Sequence, residues 1–205
     1  MTLAELAKPL IQISIESGSW DSEQEAALEY LQEILPKLFF WKILVVGASG
    51  DIFSELLSSL GYEVWSVDYR PYSLVQSDDP EKQRSRPISN FRFMQGDFNL
   101  VELPKDYFDL ALAVSSIEHF GLGRWKDPID PDGDLKAVKK VKECLKFNGL
   151  FLNSIPHGAF DKIESGNQHR YYSENGRLKI LMEGFEELKR SKSGDYMIIY
   201  LARKL

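Results

Sequence analysis

The spacing of apolar residues changes several times along the chain, and each change marks an element. Ala26, Leu28, Leu31, Ile34 and Leu35 recur at helical spacing behind Ser22 and Glu25, an S-x-x-E capping box, and Pro36 ends the helix. Residues up to about Phe40 read as helical throughout, so 1–40 form an N-terminal helical extension or cap and 41–205 one domain. Lys42–Val46 is a continuous apolar run of buried-strand length. A helix from about Ile52 to Leu60 follows, stopped by Gly61, and Glu63–Asp68 is the next strand. Tyr69–Asn90 is polar and broken by Pro71, Pro80 and Pro87, which predicts a loop.

Phe91–Gln95 and Phe108–Val114 read as two further strands. Leu135–Lys146 is an amphipathic helix with Asp134 as its cap, stopped by Asn148-Gly149 before a fifth strand, Leu150–Ile155. A short helix near Ser173–Met182 precedes strands near Phe185–Ser191 and Tyr196–Leu201, joined through the turn Ser193-Gly-Asp195. Strands alternating with helices predict an α/β fold: a doubly wound, mostly parallel seven-stranded sheet with helices on both faces and a C-terminal antiparallel hairpin.

Composition narrows the function. A chain of 205 residues with 43% hydrophobic residues suits one domain with a substantial core. The net charge of −6 repels a phosphate backbone, and the basic stretches Lys136–Lys142 and Lys189–Lys192 read as solvated faces. No nucleic-acid partner is therefore expected. The lone Cys144 excludes a disulfide within the chain and lies among apolar helix positions, which suits packing in a reducing compartment. The N-terminus lacks a basic start followed by an apolar run, and no apolar stretch approaches the ~20 residues of a membrane span. The expectation is a cytoplasmic protein without a membrane partner; oligomeric state stays open.

The strongest local signal runs from Ile43 to Asp68. The glycine-rich turn Gly47-Ala48-Ser49-Gly50, between a buried strand and a helix, lets a ligand approach backbone N–H groups. Asp68, ending the second strand, can accept hydrogen bonds from ribose hydroxyls. The pattern fits NAD(P) and S-adenosylmethionine enzymes alike. The turn also looks like that of a short-chain dehydrogenase, but Phe53 stands at that family's third glycine. Such reductases usually carry a Tyr-x-x-x-Lys pair, and the expectation is that this chain has none.

From about Trp41 onward the chain resembles the class I S-adenosylmethionine-dependent methyltransferases, through four segments in order. They are Ile43-Leu-Val-Val-Gly-Ala-Ser-Gly50 with Asp68; Phe91-Arg-Phe-Met-Gln-Gly-Asp97; Phe108-Asp-Leu-Ala-Leu-Ala-Val-Ser-Ser-Ile-Glu-His119; and Leu145-Lys-Phe-Asn-Gly-Leu-Phe-Leu152. The resemblance implies a Rossmann-like fold with S-adenosyl-L-methionine as cofactor, held by Gly47, Ala48, Gly50, Asp68, Tyr69, Asp97, Phe98 and Ser115. Asp97 would accept from the adenine amino group. Two positions depart from the pattern. Val45 replaces a customary acidic anchor for the cofactor's amino-acid end, and Asp51 replaces the third glycine.

His119 follows a strand end, where ligands bind in such sheets, and is the candidate general base; a structural histidine is the other reading. Glu118 reads as holding a helix N-terminus. The segment Gly121-Leu-Gly-Arg-Trp-Lys-Asp-Pro-Ile-Asp-Pro-Asp-Gly-Asp134 resembles a branch of the superfamily first catalogued as a nematode family of unknown function. Its four aspartates suggest a metal, but an EF-hand register from Asp130 puts Val141 where a bidentate Glu is needed. It reads instead as a substrate-side loop carrying Arg124, Asp130 and Asp132, with no metal; a rigid structural loop is the other reading. His157, His169, Arg170, Tyr171 and Tyr172, after the fifth strand, are candidate acceptor contacts, with packing on the core the other reading. The sequence thus points to methyl transfer, at oxygen, to a small-molecule or carbohydrate-type acceptor. A non-catalytic S-adenosylmethionine-binding or scaffold domain and, behind it, an NAD(P)-dependent reductase are the alternatives.

Overall fold

The computed structural model describes residues 3–16, 21–35, 41–48, 52–71, 91–166 and 168–205. In chain order these form α1 (Leu3–Glu16), α2 (Ser22–Ile34), β1 (Lys42–Val46), α3 (Phe53–Ser59), β2 (Glu63–Asp68), β3 (Phe91–Gln95) and β4 (Phe108–Ala113). A single 3-10 turn (Ile117–His119) leads to α4 (Gly133–Cys144), β5 (Leu145–Pro156), β6 (Lys162–Ile163), β7 (Arg170–Tyr171), α5 (Arg177–Leu181), β8 (Phe185–Ser193) and β9 (Met197–Lys204).

Seven strands make one sheet in the order β3-β2-β1-β4-β5-β9-β8. The first five are parallel, and β9 runs antiparallel to both its neighbours. The central strands are buried on both faces, which is why they read as unbroken apolar runs. Leu44 and Val46 of β1 face a core shared with Val138 and Val141 of α4 and Leu178 and Leu181 of α5. Ile43 and Val45 face a second core with Leu28 and Leu31 of α2 and Phe53 and Leu56 of α3. Each such side chain contributes roughly 1.5–3 kcal/mol on burial. Because the strand order reverses between β1 and β4, their C-terminal ends diverge into a crevice.

Local details differ from the sequence reading where side chains found other partners. Asp21, not Ser22, caps α2, its carboxylate accepting from the Glu23 and Gln24 amides. Helix α4 ends at Cys144 and passes directly into β5. Asn148 and Gly149 do not stop the helix; they belong to a bulge, with Asn148 at φ +61 and a register jump between the β4–β5 pairs Phe108–Leu145 and Leu110–Leu150. The two-residue strands β6 and β7 carry too little periodicity to be read in advance.

The largest departure is Asp134. It does not cap α4; Asp132 occupies that position without a side-chain capping bond. Asp134 lies in the first turn, 0% exposed, and accepts from Tyr172 Oη at 2.9 Å and from Arg177 Nε at 2.7 Å. Arg170, itself buried, reaches within 3.8 Å of the same carboxylate and donates to the carbonyls of Phe120, Asp130 and Pro131. Arg177 adds a bond to Pro131 O at 2.6 Å. Within this clamp the backbone crosses itself: a Cβ at Gly121 would lie 2.1 Å from Asp130 O, and one at Gly133 would lie 2.9 Å from Gly121 Cα. The segment 121–134 is therefore fixed structure.

Asp134→Asn keeps the shape and deletes the counter-charge of two arginines. It should lower unfolding free energy by about 3 kcal/mol, measured by urea denaturation. A loss under about 0.5 kcal/mol would mean the clamp contributes no stability.

Candidate functional site

A cavity of about 440 Å³ opens at the C-terminal ends of the central strands. Its floor is built from strand ends: Gly47 after β1, Asp68 at the end of β2, Asp97 and Phe98 after β3, and Ser115 after β4. His119, from the 3-10 turn, and residues of the 121–134 loop complete the wall. Gly47 has φ +76, and a Cβ there would strike Ser116 Oγ at 2.1 Å. The glycine thus lets the β1 and β4 ends close together.

The polar groups on the wall are partly committed. Asp68 accepts from the Arg70 amide at 2.7 Å and pairs with its guanidinium at 3.3 Å. Arg70 also stacks on Trp125 at 4.4 Å, and Tyr69 Oη donates to Lys126 O at 3.0 Å. These contacts roof the cavity over Asp68. Asp97 Oδ1 accepts from the Asn99 amide at 2.9 Å, while Phe98 packs edge-on against Phe120. Asp130 pairs with Lys136, which also lines the cavity.

Of the residues expected from sequence, Gly47, Asp68, Tyr69, Asp97, Phe98, Ser115, His119 and Asp130 line this one cavity. Ala48 does not; it is fully buried in the second core. Gly50 and Asp51 lie outside the described residues. Val45 is buried in that same core. Arg124 sits beside His119 rather than on the wall, donating to Gln168 O at 3.2 Å. Asp132 meets Arg177 at 3.4 Å, and His157 meets Glu174 at 3.2 Å, both away from the cavity. His169 and Tyr171 join Tyr196 in an aromatic cluster beside His119, with His169 and Tyr196 stacked at 6.0 Å and His119 6.3 Å from His169. Sequence reading missed Tyr196, which is brought there by β9 pairing with the end of β5. It also missed Arg70 and Trp125. A Tyr-x-x-x-Lys pair does exist, contrary to expectation: Tyr200 and Lys204. Tyr200 is fully buried against Asn153, and Lys204 binds Asp106 and Leu145 O, so the pair lies off the cavity.

The profile of a protein family described as "Caenorhabditis protein of unknown function, DUF268" matches residues 75–204. The chain belongs to that family. A comparison with curated protein sequences finds no match. Among solved structures, the DUF268 chain is similar to the 1,6-didemethyltoxoflavin-N1-methyltransferase of Burkholderia thailandensis, solved with that substrate and S-adenosylhomocysteine. The TM-score is 0.68 at 18% identity, covering 100% of this chain and 91% of the other. An S-adenosylmethionine-dependent methyltransferase of Mesorhizobium loti gives 0.62 at 15%, covering 87% and 98%. The [4+2]-cyclase SpnF gives 0.63 at 14%, covering 88% and 80%. The DUF268 chain therefore has the class I S-adenosylmethionine-dependent methyltransferase fold.

Behind the wall lies an unusual ionisable group. Ser115, a non-glycine at φ +46, donates its Oγ to Glu118 Oε1 at 3.0 Å and its amide to Ser154 Oγ at 2.8 Å. Ser154 Oγ in turn donates to Glu23 Oε2 at 3.0 Å. Burial, and then mutual repulsion, pushes Glu23 up to about 8. Burial pushes Glu118 up to about 7. His119 is held down to about 4, first by burial and then by the Arg124 charge. Its Nδ1 lies 2.6 Å from Gln168 O, a pure acceptor, so Nδ1 carries the hydrogen and Nε2 the lone pair.

These shifts have opposite signs. The raised carboxyls bind more protons folded than unfolded, so their contribution is complete below about pH 4.5 and fades as pH rises through 7–8. The depressed His119 gives stability present above 6.5 and lost as pH falls toward 4. Glu118→Gln removes only the alkaline loss. Its stability relative to the parent should rise by roughly 1–3 kcal/mol between pH 5 and pH 8, seen in paired thermal melts. A pH-independent difference would mean Glu118 is ionised throughout.

Proposed function

We propose that this chain binds S-adenosyl-L-methionine and transfers its methyl group to a hydroxyl of a small-molecule or carbohydrate-type acceptor. The observation that carries the reading is the single cavity joining Gly47, Asp68, Asp97–Phe98, Ser115 and His119 at the switch point of the sheet. Its volume of about 440 Å³ falls in the range of small-molecule sites, roughly 300–1,000 Å³. The donor set fits the cofactor. Asp68 offers acceptors for ribose hydroxyls, Asp97 Oδ2 has no hydrogen-bond partner among the described residues and suits an adenine amino group, and Phe98 supplies an apolar face. The Burkholderia neighbour, solved with S-adenosylhomocysteine and a small-molecule substrate, supports the same reading.

When bound, the cofactor supplies an electrophilic methyl on a sulfonium. The chain's part is alignment and proton handling. His119 stands at the β4 edge of the cavity, neutral at physiological pH, with its ring fixed through Gln168 O. Transfer to a hydroxyl would form a C–O bond as the methyl–sulfur bond breaks, leaving a neutral thioether, and would release one proton, for which His119 Nε2 is the acceptor. Arg124 Nη1 lies 3.2 Å from Nδ1 and 3.4 Å from Nε2, beside both ring nitrogens, and its charge keeps the base weak, so the proton leaves late, as the C–O bond forms. The cluster of His169, Tyr171 and Tyr196 offers stacking faces to an acceptor beside His119.

Calorimetry should show binding of S-adenosylhomocysteine and none of NADPH; the reverse would overturn the assignment. Asp68→Ala should weaken that binding by roughly 10- to 100-fold, the worth of a charge-assisted hydrogen bond of about 1.5–3 kcal/mol. With the cofactor in hand, release of S-adenosylhomocysteine against panels of hydroxyl-bearing and amine-bearing small molecules tests the acceptor class. Turnover confined to amines would move the transfer from oxygen to nitrogen. His119→Ala should leave cofactor affinity within about twofold and lower turnover by roughly 10²-fold or more.

A further inference from the structure

The reading above leaves two carboxyls unused, Glu118 buried and Glu23 half-buried. Glu23 comes from the first turn of α2 and Glu118 from the 3-10 turn after β4, far apart in sequence. They converge on Ser115, which lines the cavity beside Gly47, and on Ser154 at the end of β5. Serine hydroxyls satisfy only part of their acceptor capacity. Glu118 is 1% exposed, and its Oε2 is buried with no hydrogen-bond partner among the described residues.

Among the described residues the surrounding charges do not compensate. Asp21 adds further negative charge to both carboxyls. His119 Nε2 lies 3.6 Å from Glu118 Oε1 but is neutral, and the Arg124 charge reaches Glu118 while its own donors go to Gln168 O and the His119 ring. Left so, both carboxyls hold protons near neutrality. The unmet need is for a compact cation with several donors and no acceptor, which describes a primary ammonium. A guanidinium binds best to a carboxylate with both oxygens open, and Oε1 of Glu118 and Oε2 of Glu23 already accept from serines.

We propose that Glu23 and Glu118 form the seat of a protonated primary amine reached from the cavity at Ser115, the α-ammonium of the cofactor's amino-acid end. The inference rests on the cavity holding S-adenosylmethionine. Asp68 and Asp97 take the nucleoside at the β2 and β3 ends, so the amino-acid end extends toward the β1 and β4 ends, where Gly47 and Ser115 lie. An amine on the acceptor would share the same chemistry, and the test separates the two.

Dissociation constants for S-adenosylhomocysteine and for 5′-methylthioadenosine, which lacks the amino-acid end, are measured on the full chain, Glu23→Gln and Glu118→Gln. Both variants should weaken S-adenosylhomocysteine by roughly tenfold or more and leave 5′-methylthioadenosine within about twofold. Ethylammonium should bind the 5′-methylthioadenosine complex and be excluded from the S-adenosylhomocysteine complex. Equal shifts for both nucleosides, or no shift in either, overturn the proposal. Ethylammonium bound equally to both complexes, and lost in Glu23→Gln, assigns the seat to an acceptor amine and overturns the cofactor assignment. A parent chain that binds neither nucleoside defeats the functional reading itself, a distinct result. Should Glu118→Gln fail to fold, Glu23→Gln, at the start of a helix, carries the comparison, with 5′-methylthioadenosine affinity as its control for folding.

Discussion

The site depends on one buried charge. Asp134 gives up all contact with water, which costs several kcal/mol unless the carboxylate is fully partnered. Its partners are Tyr172, Arg177 and the nearby Arg170, drawn from the short strand and helix that follow β5. The same arginines spend their remaining donors on carbonyls of Phe120, Asp130 and Pro131. One ionic cluster therefore fastens both ends of a fourteen-residue loop (121–134) to the body of the domain. The N-terminal end of α4 also favours a carboxylate in its first turn.

What the clamp fixes, the cavity uses. The loop holds Trp125 against Arg70 and the Lys126 carbonyl against Tyr69, so Asp68 is roofed by residues far from it in sequence. Arg124, from the same loop, stands beside His119 and adds its charge to burial in holding the ring neutral. The loop thus shapes the electrostatics of the strand ends as well as covering them. Asp68 already holds Arg70, so any ligand that met this carboxylate would share it or turn the guanidinium aside, and Trp125 would feel the change.

The sheet was legible in sequence because its signal is strong. Unbroken apolar runs such as Ile43–Val46 and Leu110–Ala113 leave few alternatives to buried parallel strands, and the glycine turn and Asp68 mark the ligand edge. What sequence reading missed depends on long-range contact. Asp134 has the residue type and position of a helix cap, and only its distant arginines reveal another role. Asn148-Gly149 is as good a helix stop as a bulge; the pairing of β5 with β4 decides between them. Glu23 carries no signal in sequence, since nothing near it in the chain names Ser154 as its partner. Tyr196 reads as the start of a strand, and only the pairing of β9 with β5 reveals that it lies beside His169.

The backbone crossing within the loop has a consequence for descent. Gly121 and Gly133 meet where neither position has room for a side chain, so the number of residues between them is set by closure of a ring. Insertions inside that ring would part the two glycines, and deletions would prevent them from meeting. Related chains that keep the structure should therefore vary in the exposed positions of the ring, such as Ile129, while holding its length constant. Gly121, Gly133, Asp134, Arg170 and Arg177 then form a signature inherited as a unit, by which further members can be recognised even where overall identity has faded.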